Sequence, residues 1–100
     1  MKPLTVINRL SIKPGKMEEF INAQQKFAAA LPPCGLVGGR MYRSVDGQSA
    51  VLVSTFQSKD AQERIWQLPD FKEHLRRLQP LVESSNPLLC EEAYSTGVFK

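Results

Sequence analysis

The sequence predicts an α+β fold in which a four-stranded antiparallel sheet carries helices on one face. Segments with the two-residue periodicity of strands and the 3.6-residue periodicity of helices follow one another in the order β-α-β-β-α-β. The two middle strands are joined through Asp46-Gly47, a pair typical of β-hairpins because glycine adopts positive φ without steric cost. A chain of 100 residues can bury one core, so we expect a single domain over residues 1–100.

Apolar alternation and two proline breaks define the first strand and the first helix. Residues 4–13 place apolar side chains on one face, with Asn8 as the only polar side chain among them. Pro14-Gly15 ends this strand. Residues 16–31 then carry apolar side chains at helical spacing, and Pro32-Pro33 cannot continue a helix. We therefore expect one amphipathic helix with a single apolar stripe.

Residues 36–44 and 49–57 are the predicted strands of the hairpin. Gly38-Gly39 in the first strand predicts a β-bulge or a close approach of the backbone. The second strand is apolar on both faces, with Val51 and Val53 on one and Ala50, Leu52 and Phe56 on the other. Such a strand needs cover on both sides, and a second copy of the same sheet is the simplest cover for the face that helices leave open.

The second helical region is predicted to begin after Ser58, a residue type that caps helices, and to run to about residue 82. Pro69 divides it into helices at residues 59–68 and from 69 to about 78 or beyond, because proline is tolerated only in a first turn. We interpret Asn86-Pro87 as a turn into a last strand at residues 88–96. With right-handed crossovers, this order gives the ferredoxin-like fold.

Composition and charge exclude several classes of protein. The net charge of +3 comes from basic residues scattered along the chain, which is not the pattern of a nucleic-acid-binding surface. The predicted third strand also has one aromatic residue where RNA-recognition sheets stack bases on two or three. No apolar run reaches the roughly 18–20 residues that cross a bilayer, and Asn8-Arg9 interrupts the N-terminal segment where a signal peptide is apolar. We expect a cytoplasmic protein without nucleic-acid or membrane partners.

The chain has no evident set of ligands for a metal ion. His74 is the only histidine, Cys34 and Cys90 are far apart in the sequence, and no carboxylates cluster at ligand spacing. The Gly-x-Gly-x-x-Gly turn of dinucleotide-binding sites is also missing. We therefore expect no metal, flavin or haem.

Three residues are candidates for catalysis. Asn8 either bonds to backbone or donates to a ligand oxygen, because a buried amide must find partners. Trp66 lies about 100° around its helix from the apolar centre, as a lid over the core or as a pocket wall. His74 lies about 70° from the middle of its own stripe. It is either a core-edge histidine or a proton acceptor, because its pKa is ordinarily near neutrality.

Three further residues are candidates for substrate binding. Phe71 belongs to the apolar stripe of the helix that carries His74. Arg40 and Tyr42 share one face of the first hairpin strand, with Arg43 on the other. The sequence leaves open which of these faces meets the helices.

Several phrases of the sequence, taken together in their order and spacing, resemble the antibiotic biosynthesis monooxygenase domain over residues 5–95. They are Asn8-Arg9-Leu10, Ile12-Lys13-Pro14-Gly15-Lys16, Glu18-Glu19-Phe20, Tyr42-Arg43-Ser44, Asp46-Gly47 and Asp70-Phe71-Lys72-Glu73-His74-Leu75. The resemblance implies the fold derived above, a homodimer in which two open sheet faces form an α+β barrel, and a pocket lined by an asparagine of the first strand. It also implies several activities, because some members oxygenate anthrones or quinols without metal or flavin and others cleave haem.

Asn8, Trp66 and His74 together also resemble the triad of the haem-degrading branch. In that branch, the resemblance implies a larger separation between the tryptophan and the haem-ligating histidine. Alignment on Phe71-Lys72 places Ile65 and Leu75 at those two positions. A shift of one residue is a rotation of about 100° on a helix, which argues against haem cleavage.

The expected function is cofactor-independent monooxygenation of a small electron-rich aromatic, a quinol or an anthrone. Asn8 holds a substrate oxygen in this hypothesis, Trp66 and Phe71 form the walls around the ring, and His74 or an arginine favours the phenolate. The alternative is a non-catalytic dimeric module that binds a small hydrophobic ligand in the same pocket.

Overall fold

Four strands and three helices follow one another in the predicted order. The computed structural model describes residues 2–31 and 34–99. Its elements are β1 (Leu4–Ile12), α1 (Met17–Ala30), β2 (Leu36–Arg43), β3 (Ser49–Phe56), α2 (Lys59–Gln67), α3 (Pro69–Leu78) and β4 (Val82–Cys90). Pro32-Pro33, predicted to end the first helix, lies outside the described residues. No helix in the described part of the chain is long and apolar enough to span a membrane.

The sheet is antiparallel throughout, with the strand order β2-β3-β1-β4. This confirms the ferredoxin-like prediction. At its centre β1 pairs with β3, so that Asn8 is opposite Leu52. The register of β2 against β3 shifts between Leu36 and Gly38, as the paired glycines predict. The helices α1, α2 and α3 lie on one side, and we call the other side the open face.

The turn between β2 and β3 is held by Asp46. Its Oδ1 accepts hydrogen bonds from the Ser44 hydroxyl at 2.6 Å and from the Gln48 N–H at 3.0 Å. Gly47 has the positive φ of 76° that this turn requires. Because both bonds stabilise the carboxylate, the Ser44 bond most of all, the pKa of Asp46 lies below its usual value. The hairpin prediction is confirmed.

The predicted last strand is wrong in position. The last strand begins at Val82, not at residue 88, and it includes Asn86-Pro87, which we had interpreted as a turn. β4 is an edge strand, and an edge tolerates proline because the outer side of the strand makes no ladder bonds. The helix ends early because Pro80 lies in a 3₁₀ turn, Gln79–Leu81, and proline cannot occupy a helix interior.

The helices contact the sheet through two separate groups of buried apolar residues. The α1 cluster contains Leu10, Ile12, Phe20, Ala50, Leu78 and Leu81. The α2 cluster contains Val6, Phe56, Ala61 and Ile65. Burial of one such large side chain stabilises the fold by roughly 1.5–3 kcal/mol. The two clusters therefore hold the helix layer on the sheet at two places.

The start of β2 packs directly on α2, which fixes the position of that helix. Ser58 caps α2 by accepting a hydrogen bond from the Ala61 N–H at 3.1 Å. The Gln57 N–H donates to the Gly35 carbonyl at 2.8 Å. Gly35 has a φ of 101°, and a Cβ at this residue would lie 2.7 Å from the Ala61 Cβ. Only glycine satisfies both the backbone conformation and the contact.

We predict that Gly35→Ala destabilises the protein more than Gly15→Ala does. Gly15 also has positive φ, 77°, but a Cβ there meets nothing within 4 Å. Backbone strain alone should cost Gly15→Ala about 1–2 kcal/mol. The overlap with Ala61 should bring the loss for Gly35→Ala to about 2–4 kcal/mol. Urea unfolding measures both free energies, and equal losses would contradict the close packing of β2 on α2.

Candidate active site

A cavity of about 750 Å³ lies between the helices and the sheet. Its lining includes residues of both core clusters, so the cavity occupies the gap that the clusters leave. All four strands contribute to the lining, and the cavity therefore extends across the sheet, roughly 14 Å at the usual strand spacing. Five of the six predicted site residues line it, namely Asn8, Arg40, Trp66, Phe71 and His74.

Four aromatic rings form a continuous row along the helix side of the cavity. Trp66 is stacked on Phe71, with centroids 6.0 Å apart and an interplanar angle of 9°. Phe71 lies 5.9 Å from Phe27 at 57°, and Phe27 is stacked on His74 at 4.0 Å and 3°. Leu68 between α2 and α3 is extended, with ψ of 137°, and Pro69 begins the new helix. This break brings Trp66 and Phe71 together, as aromatic pairs prefer.

Asn8 is held by the backbone of the edge strand. Its Oδ1 accepts a hydrogen bond from the Asn86 N–H at 3.0 Å. An amide has an acceptor oxygen and a donor NH₂, so Asn8 can bond to backbone through one and donate to a ligand through the other. The oxygen bonds to backbone, and the NH₂ is the half that remains for a ligand in the cavity.

His74 is a buried imidazole with a fixed proton. It is 5% exposed, and its Nε2 lies 2.6 Å from the Gln24 Oε1. An amide oxygen can only accept, so Nε2 is the nitrogen that carries the hydrogen. Burial, with a smaller contribution from Arg77, lowers the pKa of His74 below its ordinary value. His74 is therefore neutral near pH 7, with its lone pair on Nδ1.

Arg40 and Tyr42 lie at the margin of the site or outside it. Met41, between them, packs against the α1 cluster, so the strand alternation directs its two neighbours toward the open face. The Arg40 guanidinium lies over the Phe99 ring, 4.7 Å from its centroid. Tyr42 is 48% exposed and pairs with Val51, away from the cavity lining.

Two residues that contribute strongly to the site were not among the sequence candidates. Gln24 and Phe27 line the cavity from α1, one helical turn apart. The sequence contained a signal for Gln24, because it is a polar residue within an apolar helical stripe, as Asn8 is within an apolar strand face. Phe27 could not be told from an ordinary core residue, because its partners His74 and Phe71 come from a distant helix.

The described residues of the cavity offer no cluster of ligands for a metal ion, and one imidazole, that of His74, as a possible axial ligand for a haem. Among residues 2–31 and 34–99, no three His, Cys, Asp or Glu side chains lie close enough to share a metal. An axial haem ligand needs a free imidazole nitrogen facing the iron. His74 donates its Nε2–H to Gln24 and its ring is stacked on Phe27, so Nδ1 is its only ring nitrogen with a lone pair. Leu75, at the position where the resemblance implies the ligating histidine, cannot ligate iron, and Ile65 stands at the position of the tryptophan.

Residues 3–77 match the family model for antibiotic biosynthesis monooxygenase. No protein of curated function matches the sequence significantly. The structure is similar to that of a variant of SnoaB from Streptomyces nogalater, a cofactor-independent oxygenase, with a TM-score of 0.84 and 26% identity over 95% of this chain and 97% of that chain.

Two more distant structures share the fold. Rv0793 from Mycobacterium tuberculosis has a TM-score of 0.82 and 16% identity over 96% of this chain and 100% of that chain. A conserved protein from Methanosarcina mazei has a TM-score of 0.81 and 16% identity over 92% of this chain and 94% of that chain. At this level of identity the likeness concerns the fold alone.

We predict that His74 makes the stability of the protein depend on pH below about 6.5. Because burial lowers the folded-state pKa, the unfolded chain binds a proton at this residue before the folded protein does. The free energy of unfolding should therefore fall as the pH falls below about 6.5 and be unaffected by His74 above it. Urea unfolding at about pH 8 and about pH 5.5 measures the change. His74→Gln, which does not titrate, should lose less stability over this interval, and an equal loss would contradict the assignment.

Proposed function

This chain belongs to the antibiotic biosynthesis monooxygenase family, and on that premise we propose that it oxidises a small electron-rich aromatic compound, of the quinol or anthrone type, without a cofactor. The observation that supports the proposal most strongly is the cavity, in which a row of four aromatic rings faces an amide NH₂ on β1. The similarity to SnoaB, a cofactor-independent oxygenase, supports the same class of reaction.

The substrate supplies the electrons in this reaction. Deprotonation of an anthrone gives an anion that passes an electron to dioxygen, and the resulting radicals combine at the ring carbon. For an anthrone the balance is a methylene plus dioxygen giving a carbonyl plus water. The protein must therefore bind the ring, exclude water and favour the anion.

Asn8 favours the anion by donating its NH₂ to the substrate oxygen that becomes negative. A preorganised donor in a cavity of low polarity stabilises such charge more than water does, because it needs no reorientation. Trp66 and Phe71 hold the ring by stacking. His74 has its Nδ1 lone pair for proton acceptance, whereas Arg40 lies over Phe99 and acts at the cavity margin.

The state of His74 favours the second candidate function, a module that binds a small hydrophobic ligand without catalysis. Burial lowers the pKa of His74 and so disfavours the imidazolium that proton abstraction would create. A cavity that lacks an effective base can still bind an aromatic compound. Oxygen consumption separates the two functions.

We expect the purified protein to consume oxygen with an anthrone or a hydroquinone faster than the compound does alone, and to do so in the presence of chelator. The same compounds should bind under argon. Binding without oxygen consumption would favour the non-catalytic module. A haem absorption band that disappears in His74→Ala would instead favour haem cleavage.

Asn8→Asp is the matched variant for this measurement. It keeps an oxygen for the Asn86 N–H, so the melting temperature should change little. It replaces the donor with a carboxylate oxygen, whose negative charge also opposes the substrate anion. Loss of one such donor lowers turnover by about 100-fold in acyl-transfer enzymes, and we expect a loss of this order. Unchanged turnover in Asn8→Asp would remove Asn8 from the proposed mechanism.

We propose further that the protein is a homodimer joined through the open face. Ile7 is 37% exposed there and Leu88 64%, and the two side chains are cross-strand neighbours. Val53 pairs with Ile7 from the other side, so a row of apolar side chains crosses the sheet. A contiguous apolar surface of this kind is typical of an interface.

Sedimentation should give about twice the chain mass of 11.2 kDa at micromolar concentration. Ile7→Lys should convert the dimer to a folded monomer, because the charge would be desolvated at the centre of the interface. Val45→Lys is the control, since Val45 is fully exposed in the hairpin turn. A monomeric native protein would refute the proposed dimer.

A further inference from the structure

The cavity has an aromatic end and a polar end. At the aromatic end, Trp66 and Phe71 pack against the α2 cluster, which includes Val6 of β1. At the polar end, the lining consists of Gln79, which ends α3, and of residues 83–85 at the start of β4, one glutamate and two serines. These four polar residues are exposed, so the cavity meets solvent at this end.

The register of the sheet separates the two ends. Val6 lies at the aromatic end, and Leu10, which is paired with Ser85, lies at the polar end. The four-residue interval between them on β1 is roughly 14 Å at the usual rise of a strand. On the helix side, α3 covers the same interval from Phe71 to Gln79, roughly 12 Å. The cavity is therefore long enough to hold two chemically different parts of one ligand.

A β-bulge brings Glu83 to the cavity. Val82 is paired with Ile12 and Ser84 with Ser11, so Glu83 is the extra residue of β4. Strict alternation would direct Val82 and Glu83 to opposite faces of the sheet, yet both line the cavity. Bulges re-aim side chains in this way, and they are frequent beside active sites.

Glu83 is a carboxylate without a charged partner in the described part of the chain. It is exposed, and none of the salt bridges between described residues includes it. Arg40 is the one other charged side chain of the described lining, and it lies on β2, at the opposite edge of the sheet from β4. Three strand spacings, roughly 14 Å, separate the two strands. A ligand at the polar end therefore meets a negative charge that no cation of the lining offsets.

We propose that Glu83 is a specificity-determining residue, and that the polar end binds a hydrogen-bond-donating substituent of the ligand, a hydroxyl or an amine, and rejects a carboxylate. The inference rests on the proposed function, in which the aromatic body of the ligand occupies the aromatic end. Serine hydroxyls and the Gln79 amide can bond to either kind of substituent, because each can donate and accept. A carboxylate can only accept, so Glu83 is the residue that discriminates.

Four anthraquinones that carry an aminomethyl, a hydroxymethyl, a methyl or a carboxylate group at the same ring carbon test the inference. They share one ring system and lack the methylene that an anthrone offers to dioxygen, so binding is measured apart from turnover. Quenching of Trp66, the only tryptophan in the chain and a residue of the cavity wall, measures binding of each. The native protein should bind the aminomethyl compound most tightly and the carboxylate least tightly. An interaction with an exposed charge changes affinity by roughly 2–5-fold, so the two extremes should differ by roughly 4–25-fold.

Glu83→Gln keeps the size of the side chain and removes its charge. The aminomethyl and carboxylate compounds should then bind within about twofold of each other, and the methyl compound should keep its native affinity. Glu83→Lys should invert the order. Because Glu83 is exposed, both variants should fold as the native protein does. Glu63→Gln makes the same change of charge at an exposed position of α2 that does not line the cavity, and it should leave the native order intact.

A native protein that binds none of the four compounds, or all four equally, would overturn the inference. So would an order of affinities that survives in Glu83→Gln, or an equal weakening of all four compounds in both Glu83 variants. Oxygen consumption with an anthrone in a protein without this order would leave the proposed function standing and refute the inference alone. The order without oxygen consumption would refute the oxygenase and assign the same specificity to the binding module.

Discussion

The site depends on where the helices contact the sheet. Contact is concentrated in the α1 cluster and the α2 cluster, and the space between them is the cavity. Protein interiors normally pack without voids of this size, because an unfilled space forfeits dispersion contacts. The two clusters must offset that loss. Phe20 is fully buried, and Gly35 approaches Ala61 closely. The regions on either side of the cavity are therefore closely packed, and they hold the helix layer in place above it.

The same constraint explains the state of the polar side chains in the cavity. A polar atom in an apolar space needs a partner, and Asn8 and Gln24 each find one for their oxygen in the protein. In the described residues no buried side-chain nitrogen or oxygen lacks a hydrogen bond. The NH₂ groups of these two amides remain available to a ligand. The packing of His74 on Phe27 thus determines the chemistry offered by Gln24, a residue on another helix.

Local signals predicted most of the fold and several residues of the cavity wall. The hairpin, the Pro69 break and the Ser58 cap depend on the backbone preferences of single residues, and these act whatever the tertiary context. The β4 strand was misplaced because Asn86-Pro87 has a turn preference that an edge position overrides. Asn8 stood out because strand alternation isolates a polar residue. The aromatic row did not, since it joins α1 to α3, and no spacing along the sequence encodes a contact between two helices.

The electrostatics of the cavity narrow the kind of anion that it can hold. His74 is neutral near pH 7 and the guanidinium of Arg40 lies over Phe99, so the polar groups that the described lining offers to an anion are chiefly amides and hydroxyls. An anion that leaves water for such a site loses hydration free energy, and the loss is larger when its charge is localised on few atoms. Uncharged donors can compensate a charge spread over a fused ring and its oxygens far better than a charge confined to one carboxylate. A delocalised aromatic anion is also the species that gives an electron to dioxygen most readily. The physical requirement for binding and the chemical requirement for oxidation therefore favour the same compounds, so a cavity lined mainly by apolar and amide side chains suits the proposed chemistry, in which the substrate supplies the electrons.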